Sequence, residues 1–391
     1  MLNTPFSPWP SFTEEEANAV RDVVLSNKVN YWTGQECREF EKEFATWSGT
    51  KYAIALMNGT VALDVALLAL GVGKGDEVIV TPRTFLASVS SIINAGAIPV
   101  FAEVNADSQN ITAETIQAVL TPRTRAIICV HLAGWPCDMD PIMQLAEQHK
   151  LFVIEDCAQA HGATYKGKPV GSIGHIGAWS FCQDKIMTTG GEGGMITTND
   201  EQLWRTMWAY KDHGKCYAAV YEREHEPGYR WLHESFGTNW RMTEMQAVIG
   251  RIQLQRMPQW QAQRLANSEA IWNAARACPA LRVPTVPEDS VHAAYKCYVF
   301  VKPDALKQGW DRDRILAEIA ERGVPSFSGS CSEVYLEKAF DGTGLRPATP
   351  LMVARELGET SMMFLVHPTL TAAEIQQTCD VLQEVMKLAS Q

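Results

Sequence analysis

From residue 52 to residue 156, short apolar runs alternate with longer segments of helical periodicity, and few architectures accommodate that alternation. Residues 53–57, 78–81, 98–101, 126–131 and 151–155 read as strands, and 61–70 and 85–95 as helices between them. The series predicts an α/β fold: a large, mostly parallel sheet covered by helices on both faces, with ligands beyond the carboxyl ends of the strands.

Ahead of it, residues 13–47 carry helical spacing, opened by Thr13 as a cap with Glu16 reaching back, and broken by a loop at Tyr31-Trp32-Thr33-Gly34. Residues 204–210 read as a helix, 214–236, with Pro227-Gly228, as a loop, and a long helix starts near Met242 and runs into the 260s. After Pro279, Pro284 and Pro287, a strand at 297–301 and helices at 312–321 and 372–388 predict a second, smaller α/β unit. At 391 residues the chain is long enough for a large domain over 1–255 and a small one over 256–391.

The formal charge of -11 excludes nucleic acid and anionic membranes as partners, since both require a broad basic face; an anionic substrate needs local cations. Ten scattered cysteines form no pattern with zinc spacing, so no metal site is expected and the thiols read as reduced. Met1-Leu2-Asn3-Thr4-Pro5 has no signal-like pattern and no run approaches the roughly 18 apolar residues of a membrane span, so a cytoplasmic protein is expected.

The chemistry centres on two residues. Asp156 closes the apolar run Leu151-Phe152-Val153-Ile154, and Lys185 sits on a polar turn before Thr188-Thr189-Gly190-Gly191-Glu192-Gly193-Gly194. Alone, Lys185 reads as a solvated turn lysine and Asp156 as a cap on the next turn. Together they are what pyridoxal 5'-phosphate demands: an amine for a Schiff base, its pKa drawn down from about 10.4, and a carboxylate for the pyridinium nitrogen. Gln159 is placed to reach the cofactor's phenolic oxygen.

Asn58-Gly59-Thr60 lies between a strand and a helix start, where backbone N–H groups favour a phosphate, although a plain N-cap reads equally well. Ser180 could add a second phosphate donor and Phe85 could stack on the ring; a core role suits a lone phenylalanine as well. The glycine run is no dinucleotide fingerprint, because it precedes a strand. Asn239 and Arg241 open the long helix, as a phosphate donor and a carboxylate partner or as an ordinary capped start with a surface arginine. His131, His161 and His213 read as structural.

Taken in order, Asn58-Gly59-Thr60, Glu155-Asp156-Cys157-Ala158-Gln159-Ala160-His161-Gly162, Lys185 with its glycine run, and Asn239-Trp240-Arg241-Met242-Thr243-Glu244 resemble the DegT/DnrJ/EryC1/StrS aminotransferases, which are fold-type I pyridoxal enzymes. The resemblance runs from Trp32 to Pro368. It implies Lys185 as the Schiff-base lysine, Asp156 on the pyridinium, Gln159 on the phenolic oxygen, Thr60 and Ser180 on the phosphate, and Asn239 reaching the partner's phosphate in a homodimer with shared active sites. Histidine in place of the lysine marks the family's dehydratases, so Lys185 implies transamination. Two departures stand out: Gln183-Asp184 before the lysine with an extra glycine after Thr189, and Arg83 where small polar residues are common.

The resemblance further implies L-glutamate as donor and a keto- or aldehydo-sugar as acceptor. Residues 180–195 and Gly329-Ser330-Cys331-Ser332-Glu333 look most like the group that aminates the C8 aldehyde of 3,8-dideoxy-8-oxo-manno-octulosonate for lipopolysaccharide. Arg83 or Arg241 would suit that sugar's carboxylate, with Trp32 as a further substrate contact. The alternatives are a nucleotide-linked 4-keto-6-deoxyhexose aminotransferase for surface polysaccharide, a pyridoxal lyase or decarboxylase, and a non-catalytic sensor that keeps the fold.

Overall fold

The computed structural model describes residues 5–224, 228 and 230–391; Met1, Leu2, Asn3, Thr4 and Pro227, read above as part of the N-terminus and of a loop, lie outside the described residues. Its centre is a seven-stranded sheet of β1 (Tyr52–Leu56), β2 (Glu77–Val80), β3 (Ile98–Phe101), β4 (Thr124–Val130), β5 (Phe152–Asp156), β8 (Ile176–Ser180) and β9 (Gly194–Thr198). The order is β1-β9-β8-β5-β4-β2-β3, with β9 antiparallel to both neighbours and the other pairings parallel. A ribbon of β6 (Thr164–Tyr165), β7 (Lys168–Pro169) and β11 (Ser290–Val291) lies beside it.

Successive strand residues point to opposite faces, and the packing follows that period. Val78, Val80, Ile128 and Ile154 join one core with α3 (Gly59–Ala69), α4 (Ala87–Asn94) and α7 (Glu201–Lys211). Ile79, Ile127 and Val153 face α5 (Ala113–Gln117) and α6 (Met139–His149) on the other side. A third core joins Trp179 and Phe181 to α2 (Glu36–Ser48) and the first half of α9 (Glu244–Arg276). At the start of α1 (Glu14–Leu25), Glu16 accepts the Thr13 N–H at 2.7 Å, as the sequence suggested. Part of the expected 214–236 loop is instead helical, α8 (Tyr217–Tyr221), because Tyr217 packs edge-on against Trp204 and Trp208.

The C-terminal region forms an antiparallel sheet of β10 (Leu281–Arg282), β12 (Cys297–Val301), β14 (Ser361–Phe364) and β13 (Ser326–Phe327), with α10 (Arg312–Glu321), α11 (Met352–Thr360) and α12 (Ala372–Ala389). The expected border between residues 255 and 256 falls inside α9. Leu254 and Met257 pack in the core beside β8 and β9, Ile271 and Trp272 in the C-terminal core. The chain also crosses that border twice elsewhere: Phe6 packs on the C-terminal core, and Val334, Tyr335 and Phe340 pack on the large one. All ten cysteines are free thiols. Among the described residues no helix is long and apolar enough to cross a membrane.

Beside Asp156, the fully buried Glu155 ties β5 to the segment entering β8. Its carboxylate accepts N–H groups of Gly171 (2.8 Å), Ile173 (2.8 Å) and Gly174 (2.6 Å), and its Oε2 lies 3.0 Å from His131 Nε2. The Cys137 N–H donates to His131 Nδ1 at 3.0 Å, which assigns the imidazole proton to Nε2. Cys157 lies close enough to make this trio resemble a metal-binding set, but the histidine and carboxylate are already satisfied by protein donors and acceptors. Burial alone would raise the Glu155 carboxyl; the His131 hydrogen bond and the backbone donors outweigh it and hold the group below its usual 4.5. Because the folded-state value is depressed, the stabilisation is complete above the unfolded-state value of 4.5 and is lost as pH falls through the lower folded-state one. Glu155→Ala should cost about 3–5 kcal/mol in chemical denaturation at neutral pH, with a smaller deficit in acid where wild type loses the same contacts.

Candidate active site

The carboxyl ends of β1, β2, β4, β5 and β8 open into one cavity of about 1000 Å³, lined from the sheet side by Asn58, Thr60, Ser88, Asp156, Gln159 and Ser180. The C-terminal region supplies the facing wall through Lys296, Tyr298, Phe327, Gly329 and Cys331.

At one end α3 begins. Asn58 Oδ1 accepts the Val61 N–H at 3.0 Å, capping the helix, while Gly59 and Thr60 line the cavity. A Cβ on Gly59 would sit 2.5 Å from Ser180 Cβ, so only glycine lets the helix start lie this close to the end of β8. A helix N-terminus flanked by two hydroxyls is an anion cradle.

Asp156 is nearly buried. Its Oδ2 accepts the Ser88 hydroxyl at 2.7 Å and its Oδ1 the Ala158 N–H at 3.2 Å; Ser88 is in turn 2.9 Å from Thr84 Oγ1. Gln159 Oε1 takes the Ala133 N–H at 2.8 Å, which fixes the amide so that its NH2 end is the one free to donate into the cavity.

Lys185 is half-buried, and its main chain is pinned: its N–H donates to Cys182 O at 3.1 Å, and Trp9 Nε1 donates to its carbonyl at 2.8 Å. The side chain lies over the Tyr295 ring, 5.2 Å from the centroid. Tyr295 donates to Asp184 at 2.5 Å. Burial would raise the Asp184 carboxyl, but the Lys185 charge and the Tyr295 hydrogen bond hold it below its ordinary value. The cradle, the carboxylate, the amide donor and the amine share one cavity, and the set fits pyridoxal phosphate group for group.

Phe85 lies at the mouth, 72% exposed, with a face available for stacking. Three expected substrate contacts are placed elsewhere. Arg83 is completely buried and does not line the cavity; its Nε donates to Gln109 at 2.8 Å and its Nη2 to Ser361 Oγ at 3.0 Å, while its Nη1 has no partner among the described residues. Arg241 is committed to Asp212 at 2.5 Å. Trp32 packs against Trp208 and Tyr221, under the Lys215 ammonium. Asn239 is exposed, and neither it, Arg241 nor Trp32 lines this cavity in its own chain. His161 is buried against Trp179 and Phe181 with both ring nitrogens unpartnered, and burial lowers its pKa to about 3. Sequence reasoning missed Ser88, Tyr295 and Lys296. Ser88 lay inside an anticipated helix, and Tyr295-Lys296 immediately precedes a recognised strand with no pattern to mark it.

Residues 10–383 match the family model described as the DegT/DnrJ/EryC1/StrS aminotransferase family. The chain is similar to GDP-perosamine synthase of Caulobacter vibrioides, 36% identical over 94% of this chain and 95% of the relative. It is 30% identical to dTDP-3-amino-3,4,6-trideoxy-alpha-D-glucose transaminase of Streptomyces venezuelae over 95% and 93%. A solved aminotransferase from Psychrobacter cryohalolentis superposes with a TM-score of 0.97 at 69% identity, covering 98% of this chain and 99% of that one. Borohydride reduction of the cofactor-loaded protein should fix the label on the peptide containing Lys185, and Lys185→Ala should abolish it and lower turnover by at least about 10²–10⁴-fold.

Proposed function

We propose that this chain, which belongs to the DegT/DnrJ/EryC1/StrS aminotransferase family, transfers the amino group of L-glutamate to the carbonyl of a nucleotide-linked keto-deoxysugar. The enzyme is a pyridoxal phosphate-dependent aminotransferase. The carrying observation is that Lys185, Asp156 and the start of α3 surround one cavity.

When bound there, the cofactor supplies an electron sink for loss of the donor's α-proton. Asp156, oriented by Ser88, keeps a proton on the pyridinium nitrogen. Lys185, on a main chain held by Trp9 and Cys182, would anchor the cofactor and, once freed, would hold and move the donor's α-proton at its Nζ. The same residue runs the steps in reverse on the sugar carbonyl. Thr60 and Ser180 hold the phosphate, and exposed Asn239 reaches the site of a second copy in a homodimer.

Two observations favour the nucleotide-linked acceptor over the octulosonate aldehyde. Similar curated proteins carry GDP- and dTDP-sugar names, and no arginine is among the described residues lining the cavity, which removes the arginine–carboxylate pairing that favoured the free sugar acid. Product analysis separates this reading from a lyase or decarboxylase, which would use the same cofactor residues.

Purified enzyme with glutamate should release 2-oxoglutarate when given a 4-keto-6-deoxyhexose linked to UDP, dTDP or GDP. Release with the octulosonate aldehyde and with none of the nucleotide sugars overturns the assignment.

A further inference from the structure

Lys296 is the second cation of the active-site cavity, and no role above uses it. It directly precedes β12, and its ammonium lies 4.8 Å from the centroid of the Tyr295 ring that Lys185 approaches to 5.2 Å. Among the described residues its Nζ makes no ion pair or hydrogen bond, although the residue is half-buried and Asp184 is the one carboxylate acting on it. A half-buried ammonium with no direct partner is suited to take an anion.

Geometry narrows which anion. The cofactor phosphate belongs at the opposite side, at Gly59, Thr60 and Ser180, and Asp156 takes the ring nitrogen. The amino donor must bring its α-carbon to the Lys185 amine, and its carboxylate is one bond from that carbon. Lys185 and Lys296 are the only lysines or arginines among the described residues lining the cavity, and Lys185 is committed to the reaction. We infer that Lys296 is the anchor for the α-carboxylate of the amino donor. This rests on the reading that the donor is an amino acid such as glutamate. A nucleotide-linked keto-deoxysugar carries no carboxylate beside its carbonyl, so the anchor serves the donor half-reaction alone.

The charge state fits the task. Burial, opposed by the Asp184 carboxylate and reinforced by Arg264 and Lys185, brings Lys296 down to about 8. It is charged at neutral pH and loses that charge as pH rises past this value. The groups that face it are Asp184, Tyr295, Arg264, Lys185 and His367.

The test uses cofactor-loaded enzyme and α-methyl-L-glutamate, which has the donor's carboxylates but no α-proton, followed by the shift in cofactor absorbance. A charge-assisted contact of this kind corresponds to about 10- to 100-fold in affinity. Lys296→Met should weaken binding by that factor, Lys296→Arg should restore most of it, and the loss in donor affinity should exceed any change in the rate at which the pyridoxamine form reacts with the keto-sugar. Wild-type affinity should fall as pH rises through about 8, and the Met variant should lose that dependence. Unchanged affinity in Lys296→Met overturns the assignment. So does a variant that alters only the pH at which the lysine-bound cofactor band titrates, the mark of an electrostatic influence on Lys185. If glutamate leaves the wild-type cofactor bands untouched, the donor reading fails first, independently of Lys296.

Discussion

The buried carboxylate of Glu155 is the contact on which the active site's geometry depends. Burying an acid is costly unless its lone pairs are filled, and here three backbone N–H groups and His131 fill them. Those donors come from the turn that feeds β8, so the charge that must be satisfied also fixes how β8 enters the sheet beside β5. Because neighbouring strand residues point to opposite faces, locking Glu155 inward on one side presents Asp156 on the other, toward the cavity. The sequence places two acids side by side; the sheet gives one a structural task and the other a chemical one.

The same alternation explains why so much of the architecture could be read from the chain. Runs such as residues 78–80 and 126–130 are apolar at every position because both faces are covered, as expected of strands sandwiched between helices. Asp156, Gly59 and Thr60 could be placed from the sequence for a related reason, since Asp156 follows an expected strand and Gly59 and Thr60 precede an expected helix; Ser180 ends β8, a strand that the pattern did not mark. What escaped depends on contacts between segments remote in sequence. Arg83 follows β2 by only a few residues, and nothing local says that Gln109 and Ser361 will claim its guanidinium. Lys296 looks like any lysine ahead of a strand until the fold carries it across from Lys185. The helix at Tyr217–Tyr221 exists because Trp204 and Trp208 offer aromatic faces, again information outside its own window.

The long helix α9 shows how the two cores become one active site. Its first half packs with the strands that carry Ser180 and its second half with the C-terminal core, so the wall bearing Lys296 is tied to the wall bearing Asp156 by a continuous rod. Midway, buried Arg264 lies 4.9 Å from the Trp9 ring centroid and 3.5 Å from the Tyr295 carbonyl, and burial lowers its pKa to about 9. Trp9 also holds the Lys185 carbonyl. The N-terminal segment, α9 and the lysine turn therefore converge on Lys185, and its main chain is held from several directions.

A sugar aminotransferase must admit two unlike substrates, an amino donor and a sugar, to one reacting centre, and the distribution of charge suits that demand. The chain as a whole is acidic, yet the two lysines among the described residues lining the cavity both lie close to one aromatic ring, at 5.2 and 4.8 Å from the Tyr295 centroid. Apart from the carboxylate of Glu337, the rest of the facing wall is uncharged: Tyr298, whose hydroxyl accepts the Ser330 N–H at 2.9 Å, with Phe327, Gly329 and Cys331. A glycine at 329 with φ of 95° lets the wall approach Tyr298, where a side chain would collide with the phenol ring. Such a surface can accept a sugar's hydroxyls without demanding an ion pair from it. Discrimination between donor and acceptor then rests on one localised positive charge, Lys296, set in a wall whose other lining groups are uncharged except for Glu337.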